Sequence, residues 1–172
     1  IIDKPDGLIE KILKGDLDFA IVEGLVSNKN IKTTLIGSDR LVAFCSIDFN
    51  VPSKLKLEEL LNYDLLLRES GSPSRRILDY QLAIKGKKIE HPRMESISNK
   101  VILSIAVNGN GIALLPYEVV QKELEAGTVK EIELDVPLER KLFIINHINK
   151  KFTSTEKKTF LLCQKLLANR LN

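Results

Sequence analysis

The segment SNKVILSIAVNGNGIALLP, residues 98–116, gives the clearest indication of the fold class. Ser98 is suited to cap a helix, and the following apolar residues have the spacing of one helix face: Val101, Ile102, Ile105 and Ala106. The pair Asn108 and Gly109 ends this helix, and the apolar run 112–115 predicts a buried strand that Pro116 stops. A helix, a glycine turn and an apolar strand in succession are typical of an α/β protein.

The same succession occurs about 90 residues earlier, in DGLIEKILKGDLDFAIV, residues 6–22. Here Asp6 is the expected N-cap and Gly15 the expected end of a helix. The apolar run 17–22 then predicts a strand buried on both faces, as in a parallel sheet. Two copies this far apart indicate two similar α/β lobes rather than a short-period repeat.

The intervening and following segments continue the alternation of helices and strands. Strands are predicted at 40–46, 64–68, 89–94, 129–134 and 141–147, and helices at 57–61, 73–85 and 118–125. The segment TSTE at 153–156 has the pattern of a capping box that opens a final helix. The strand at 17–22 has few neighbours upstream, so we expect a further βα unit of roughly 30 residues before Ile1.

Composition indicates an ordinary soluble globular protein, with 44% hydrophobic and 28% charged residues over 172 positions. The 26 Lys and Arg residues against 23 Asp and Glu give a net charge of +3, too mild for a chain that binds nucleic acid over its whole surface. The sequence has no Trp and no apolar run of the roughly 18 residues that a membrane span needs. We therefore expect a cytoplasmic protein without a membrane segment.

Cysteine and histidine usage predicts neither a disulfide nor a metal site. Cys45 and Cys163 each lie in an apolar run without a C-x-x-C pattern, which favours buried free thiols. His91 and His147 have no second ligand at metal-binding spacing. We expect no metal and no cofactor.

The most informative local feature is the sequence Gly71-Ser72-Pro73-Ser74, between a predicted strand and a predicted helix. Backbone N–H groups and the positive end of a helix would meet there, which suits a carboxylate, sulfate or phosphate. The alternative is that Ser72 only caps the helix. Arg75 and Arg76 add positive charge, although arginine in a first helical turn is usually solvated.

Two further pairs of residues directly follow predicted strands. They would lie at the carboxyl ends of the strands, where open α/β proteins bind their ligands. These are Glu23 with Gly24 and Glu95 with Ser96. A purely structural role in turns is an equally good interpretation of each pair. The glycines at 109 and 111 do not form a dinucleotide-binding motif, because Leu114 replaces the third glycine and the helix precedes the strand. We expect a turn with positive φ angles instead.

Five motifs in this order resemble those of LysR-type transcriptional regulators. They are GDLDFAIVEG at 15–24, DRLV at 39–42, LEEL at 57–60, RESGSPSR at 68–75 and VNGNGIALLP at 107–116. Each motif is weak alone, but the ordered set covers almost the whole chain. The resemblance implies the effector-binding domain of such a regulator, in a fragment that lacks the N-terminal part of the protein.

The resemblance implies an α/β, two-lobed fold like that of type II periplasmic binding proteins. Each lobe would be a mostly parallel sheet flanked by helices, and two crossover strands would join the lobes. Lobe I would comprise residues 1–45 and 147–172, incomplete at its N-terminus, and lobe II residues 46–146. A winged helix-turn-helix that binds DNA would precede this chain.

The resemblance also implies that an effector, expected to be a small anion, binds in the cleft between the lobes. Ser70, Gly71 and Ser72 match the family's ligand-contacting turn, and Ser74 belongs to the same helix start. Pro5 stands where the family often has a Ser or Thr that contacts the ligand, and proline has neither a hydroxyl nor an N–H for that contact. The family implies homodimers of this domain and tetramers of the full protein, with DNA bound only through the helix-turn-helix.

Two other functions share this fold. A solute-binding protein of a transporter would have the same cleft but would need a secretion signal before Ile1. An enzyme, such as an aromatic-pathway dehydratase or a tetrapyrrole-synthesising deaminase, would need acid and base groups that converge on the cleft. Glu23, Glu69 and Glu95 are the nearest candidates, and they form no such constellation in the sequence. We therefore expect a sensor rather than an enzyme.

Overall fold

The computed structural model describes residues 5–24 and 26–171, with side chains up to residue 166. It divides into two compact units. Unit 1 comprises Ile1–Asp39 and Arg140–Asn172, and unit 2 comprises Arg40–Glu139. The sequence expectation put the limits at 45/46 and 146/147, a few residues further along the two strands that carry the chain from one unit to the other.

The order of helices and strands follows the predicted alternation. The helices are α1 (Pro5–Lys14), α2 (Pro73–Ile84), α3 (Asn99–Val107), α4 (Tyr117–Glu125) and α5 (Ser154–Leu171), with a 3₁₀ helix at Leu57–Asn62. The strands are β1 (Phe19–Glu23), β2 (Ile31–Ser46), β3 (Lys54–Leu55), β4 (Leu65–Arg68), β5 (Met94–Ser96), β6 (Ile112–Pro116), β7 (Val129–Leu134) and β8 (Glu139–His147).

In unit 1, β1 pairs antiparallel with β8, and β8 lies next to β2. Alternate residues of a strand point to opposite faces. One face packs against α1, where Leu8 and Ile12 are buried in a cluster with Val22 and Phe143. On the opposite face the ring of Phe19 packs against the rings of Phe152 and Phe160, with centroid distances of 6.4 and 5.7 Å.

Several details of unit 1 differ from the prediction. The helix begins at Pro5, so Asp6 lies in its first turn and is not the N-cap; proline is well tolerated at that first position. The strand predicted at 17–22 begins at Phe19, and its Ile21 is 40% exposed. It is therefore not buried on both faces, and its described pairing is antiparallel rather than parallel. The predicted helix end at Gly15 is confirmed by a φ of 82° and by the Asp16 N–H, which donates to the Lys11 carbonyl at 2.9 Å.

Unit 2 contains a mixed sheet in the order β2-β6-β4-β5, with β7 also paired to β2 and β3 paired to β7. The β4 strand is parallel to both β5 and β6, whereas β2 is antiparallel to β6 and β7. The expectation of mostly parallel sheets is therefore corrected to mixed sheets. The α/β class is confirmed.

The β6 strand is buried along its whole length, as the sequence predicted. Ile112 and Leu114 face a core cluster with the buried residues of α2, whereas Ala113 and Leu115 face a second cluster with α3 and α4. A strand covered by helices on both faces has no polar side, so it has a continuous apolar sequence.

The NGNG segment forms the predicted turn with positive φ. Gly109 has φ 76° and Gly111 has φ 146°. A Cβ at Gly111 would lie 2.3 Å from the carbonyl oxygen of Asp64, whereas one at Gly109 would meet nothing nearer than 4.0 Å. The backbone of β6 thus approaches the start of β4 so closely that position 111 requires glycine.

Three further expectations are corrected in the described residues. The strand predicted at 89–94 is only Met94–Ser96, so Glu95 and Ser96 lie within β5 and do not follow it. The strand predicted at 40–46 is the second part of a longer strand, Ile31–Ser46. Both cysteines are free, but Cys163 is half-buried, and burial is complete only at Cys45.

Candidate functional site

The turn formed by residues 70–74 connects β4 to α2 in unit 2. Gly71 adopts φ 87° and allows the chain to reverse. Ser72 is the N-cap of α2, and its hydroxyl oxygen accepts a hydrogen bond from the Arg75 N–H at 3.3 Å. The capping role that the sequence left open for Ser72 is therefore confirmed. Ser70 and Gly71 are exposed, whereas Ser72 and Ser74 are buried.

Few polar groups at the start of α2 are free for a ligand. Pro73 has no N–H, and Ser72 accepts both the Arg75 N–H and, through its carbonyl, the Arg76 N–H. Ser74 is 4% exposed, and neither its N–H nor its hydroxyl has a hydrogen-bond partner among the described residues. The Ser72 hydroxyl can still donate its own proton while its oxygen accepts from Arg75. Capping and anion contact are therefore compatible.

Arg75, in the first turn of α2, is buried, with only 7% of its surface exposed. Its Nε donates to Asp79 Oδ1 at 2.8 Å, and its Nη1 donates to the carboxylate of Glu95. Nη1 also approaches the Arg68 carbonyl at 3.4 Å. Burial by itself would lower the pKa of Arg75, but the hydrogen bonds to Asp79 and Glu95 outweigh it, and the pKa is raised. The expectation that this arginine is solvated is wrong; it holds only for the exposed Arg76.

Arg68, at the end of β4, makes a second set of polar links. Its guanidinium contacts both carboxylate oxygens of Glu69, at 2.8 and 3.1 Å, and donates to Asn99 Oδ1 at 2.8 Å. Asn99 is the first residue of α3, so Arg68 ties β4 to that helix.

We call these charged residues the ionic frame: Arg68, Glu69, Arg75, Asp79 and Glu95. The frame has two positive and three negative side chains, so it provides no net positive charge to the turn. Any preference for an anion there comes from hydroxyls, backbone N–H groups and the positive end of α2.

The second candidate pair, Glu95 and Ser96, supports the turn from β5. The Glu95 carboxylate is held by Arg75, and the half-buried Ser96 hydroxyl accepts the Ser98 N–H at 3.1 Å. The structure thus brings Glu95 together with the turn at 70–74 through a single guanidinium.

The third pair, Glu23 and Gly24, belongs to unit 1. Arg140 joins Glu23 Oε1 to Asp39 Oδ2, each at 2.6 Å, and the Asp39 side chain is only 4% exposed. Gly24 has φ 80°, and its N–H donates to the Lys141 carbonyl at 2.9 Å. The ion pairs hold β1 to the two strands by which the chain leaves and re-enters unit 1.

Sequence reasoning missed the partners that orient these candidate residues. Asp79 could have been found, because it lies four residues after Arg75 and can meet it on one helix face. No short sequence pattern could have identified Asn99, Asp39 or Arg140, because their hydrogen-bond partners are distant in the chain.

Two negative findings concern the described residues. They contain no group of three or more His, Cys, Asp or Glu side chains that could hold a metal ion. In that same part of the chain no helix is both long and apolar enough to cross a bilayer.

Comparisons with known proteins agree on one family. Residues 1–153 match the family described as the LysR substrate binding domain. The uncharacterized HTH-type transcriptional regulator YeiE of Escherichia coli K12 is 30% identical over 154 residues, which are 86% of this chain and 52% of YeiE. The chain spans about half the length of the curated relatives it matches.

Solved structures show the same fold. The regulatory domain of CcmR from Synechocystis PCC6803, in complex with 2-PG, superposes with a TM-score of 0.77 at 19% identity, covering 98% of this chain and 80% of that one. The apo regulatory domain of HypT from Salmonella typhimurium superposes with a TM-score of 0.76 at 17% identity, covering 97% and 80%. These matches confirm the expected fold, an α/β fold like that of type II periplasmic binding proteins. The five sequence motifs, the fold and the family match together show that this chain belongs to the LysR substrate-binding domain family.

Proposed function

We propose that the chain is the effector-binding regulatory domain of a LysR-type transcription regulator, and that a small anion contacts the turn at 70–74. The observation that carries the proposal is Ser74, which is 4% exposed and has a free N–H and a free hydroxyl at the start of a 12-residue helix. The free hydroxyl and N–H of Ser74 can each donate a hydrogen bond, and the positive end of a helix favours an anion.

The chemistry of the site favours directional hydrogen bonds over bulk charge. Because the ionic frame is not net positive, the anion would be selected by donors at Ser72 and Ser74 and by the exposed backbone at Gly71. Carboxylates and phosphates are the common biological anions that accept several such bonds. The CcmR regulatory domain is in complex with 2-PG, which makes 2-PG a suitable first probe for this chain.

In this proposal the domain acts as a sensor and not as an enzyme. It forms homodimers, with tetramers of the full protein, and DNA is bound through an N-terminal helix-turn-helix in the cytoplasm. The regulators related to this chain are described as HTH-type, which supports that arrangement. The effector can change DNA binding only if its affinity differs between two arrangements of the subunits.

Calorimetry with 2-PG and with inorganic phosphate tests the site. Ser72→Asp retains a capping oxygen but adds a negative charge, and Ser74→Ala removes the free hydroxyl. We expect each variant to weaken binding about tenfold or more, since a hydrogen bond to a charged group contributes about 1.5–3 kcal/mol. Ser104→Ala, at an exposed position on α3, is the matched control and should bind like the wild type.

The capping role can be separated from ligand contact by unfolding measurements. Ser72→Asp should keep the wild-type stability, whereas Ser72→Ala should lose about 1 kcal/mol. Wild-type affinity for the same anion in both Ser72→Asp and Ser74→Ala would refute the proposed contact, and so would the absence of saturable binding by any carboxylate or phosphate in a thermal-shift panel.

A further inference from the structure

A groove with a volume of about 520 Å³ lies on unit 1, between α5 and the strands β2 and β8. We call it the unit 1 groove. It lies wholly within unit 1, so it is separate from the turn at 70–74 in unit 2. Ligand pockets in proteins commonly have volumes of about 300–1,000 Å³.

The local geometry explains which side chains line the unit 1 groove. Lys32 and Thr34 are alternate residues of β2 and share one face of that strand. Lys157, Phe160 and Gln164 follow the spacing of one face of α5. A strand face and a helix face thus converge on the same space.

Asn146 provides a buried polar group in the unit 1 groove. It is 4% exposed, and its Nδ2 donates to the His147 carbonyl at 2.8 Å. Its amide oxygen has no partner among the described residues. An amide oxygen accepts hydrogen bonds, so Asn146 can accept one from a ligand in the groove.

Three lysines line the groove, and two of them have no ion pair with a described residue. The exception is Lys150, which forms ion pairs with Asp18 and, at 3.1 Å, with Glu156. Lys32 and Lys157 have no ion pair with any described residue. Two ammonium groups without carboxylate partners at one groove favour a negatively charged ligand.

The groove also has an apolar wall. The rings of Phe152 and Phe160 lie with their centroids 5.3 Å apart, and Leu161 beside them is 52% exposed. An aromatic or otherwise flat apolar group would be favoured against these side chains.

The distribution of charge between the units favours the same kind of ligand. Unit 1 has 13 Lys and Arg residues against eight Asp and Glu, a formal charge of +5. Unit 2 has 13 against 15, a formal charge of −2. The overall charge of +3 therefore conceals a basic unit 1, which attracts anions to its surface.

We infer that the unit 1 groove binds a small organic anion with a flat apolar body and a hydrogen-bond donor. The negative group is held by Lys32 and Lys157, the body lies against Phe160, and the donor meets the amide oxygen of Asn146. The site is independent of the effector contact proposed for unit 2.

The test uses 4-hydroxybenzoate as probe, with the 172-residue chain labelled with ¹⁵N and titrated by NMR at low salt. The probe has a carboxylate, an aromatic ring and a phenolic donor, and phenol serves as the uncharged comparison. We expect saturable shifts at residues 32–34, 146–148 and 157–164, and much weaker binding of phenol.

A matched pair of double variants distinguishes a specific site from general attraction. Lys32→Gln with Lys157→Gln should weaken binding about tenfold or more. Lys151→Gln with Lys158→Gln removes the same charge from exposed positions outside the lining and should change affinity less than twofold. Equal weakening by the two double variants would overturn the inference, as would shifts confined to residues 70–76 or shifts that do not saturate.

Discussion

Gly111 shows how one residue can be set by a neighbouring strand. Its φ of 146° lies in a region that side chains rarely adopt, and its Ile112 neighbour donates an N–H to the Asp64 carbonyl at 2.9 Å. That hydrogen bond brings the backbone of position 111 against the same carbonyl, so no room is left for a Cβ. Gly109 in the same turn has a positive φ but open space around it.

The two glycines therefore predict different costs for the same substitution. Gly111→Ala should lower the free energy of unfolding by about 3 kcal/mol or more, because steric overlap adds to backbone strain. Gly109→Ala should cost only about 1–2 kcal/mol, from the left-handed conformation alone. Urea denaturation followed by circular dichroism measures both, and equal losses would show that β6 does not need the close approach at Asp64.

At the same scale, Arg75 shows why a side chain's role cannot be taken from its position in a helix. The first turn of α2 contains Arg75 and Arg76 side by side, yet one is buried and the other exposed. Arg75 can be buried because its charge is paired with two carboxylates, that of Asp79 on the same helix and that of Glu95 on β5. Its planar guanidinium contacts Asp79 through Nε and Glu95 through Nη1.

At the scale of elements, Lys85 forms ion pairs that connect the C-terminal end of α2 to neighbouring segments. Its Nζ lies 2.8 Å from a carboxylate oxygen of Glu58 and 2.9 Å from one of Asp135. Asp135 also accepts the Leu57 N–H at 2.8 Å, at the start of the 3₁₀ helix. One ammonium group thus joins α2, the 3₁₀ helix and the segment after β7.

This cluster predicts a pH dependence with a definite sign. The hydrogen bond from Lys85 lowers the pKa of Asp135 and of Glu58, and those carboxylates in turn raise the pKa of Lys85. A lowered carboxyl pKa stabilises the fold above the ordinary value of that group, and the contribution is lost as the pH falls through the folded-state value. A raised lysine pKa contributes below its ordinary value and is lost only as the pH rises beyond it.

We therefore expect Lys85→Gln to destabilise the chain at pH 7 and to match the wild type progressively as the pH falls below about 4. Urea unfolding at a series of pH values measures the difference. The control is Lys87→Gln, at an exposed position without a described ion pair, which should follow the wild type throughout. A difference for Lys85→Gln that stays constant down to pH 2 would exclude the ionic explanation.

At the scale of the whole molecule, unit 1 has one described hydrophobic cluster and unit 2 has two, and each unit has one cysteine. Cys45 lies in β2 within unit 2 and has no exposed surface, whereas Cys163 lies on α5 in unit 1 and is half-buried. Burial raises the pKa of the Cys45 thiol, which further lowers the fraction of reactive thiolate.

The two thiols should therefore report on different parts of the chain. In the native protein a thiol reagent should modify Cys163 first, and Cys45 should react only when unit 2 unfolds. Mass spectrometry after short labelling pulses at increasing urea concentrations measures each site, with Cys163→Ser as the variant that isolates Cys45. Rapid native labelling of Cys45 would contradict the complete burial of that side chain.

Features that depend on neighbouring residues in the chain could be predicted from the sequence. Apolar spacing located α3 and β6, Gly15 ended α1, and Ser72 began α2, because helix faces, strand burial and caps are set within a few positions. The short β5 and the first part of β2 escaped prediction, since their pairing partners decide where they begin and end.

The contacts between polar residues could not be predicted, because they form only in the folded chain. Arg75 with Glu95, Arg140 with Asp39, and Lys85 with Asp135 join residues between 20 and 101 positions apart. The unit 1 groove likewise combines residues of β2 with residues of α5. No local pattern encodes such encounters, because they arise when the packing of apolar faces brings distant segments together and burial then makes each charge need a partner.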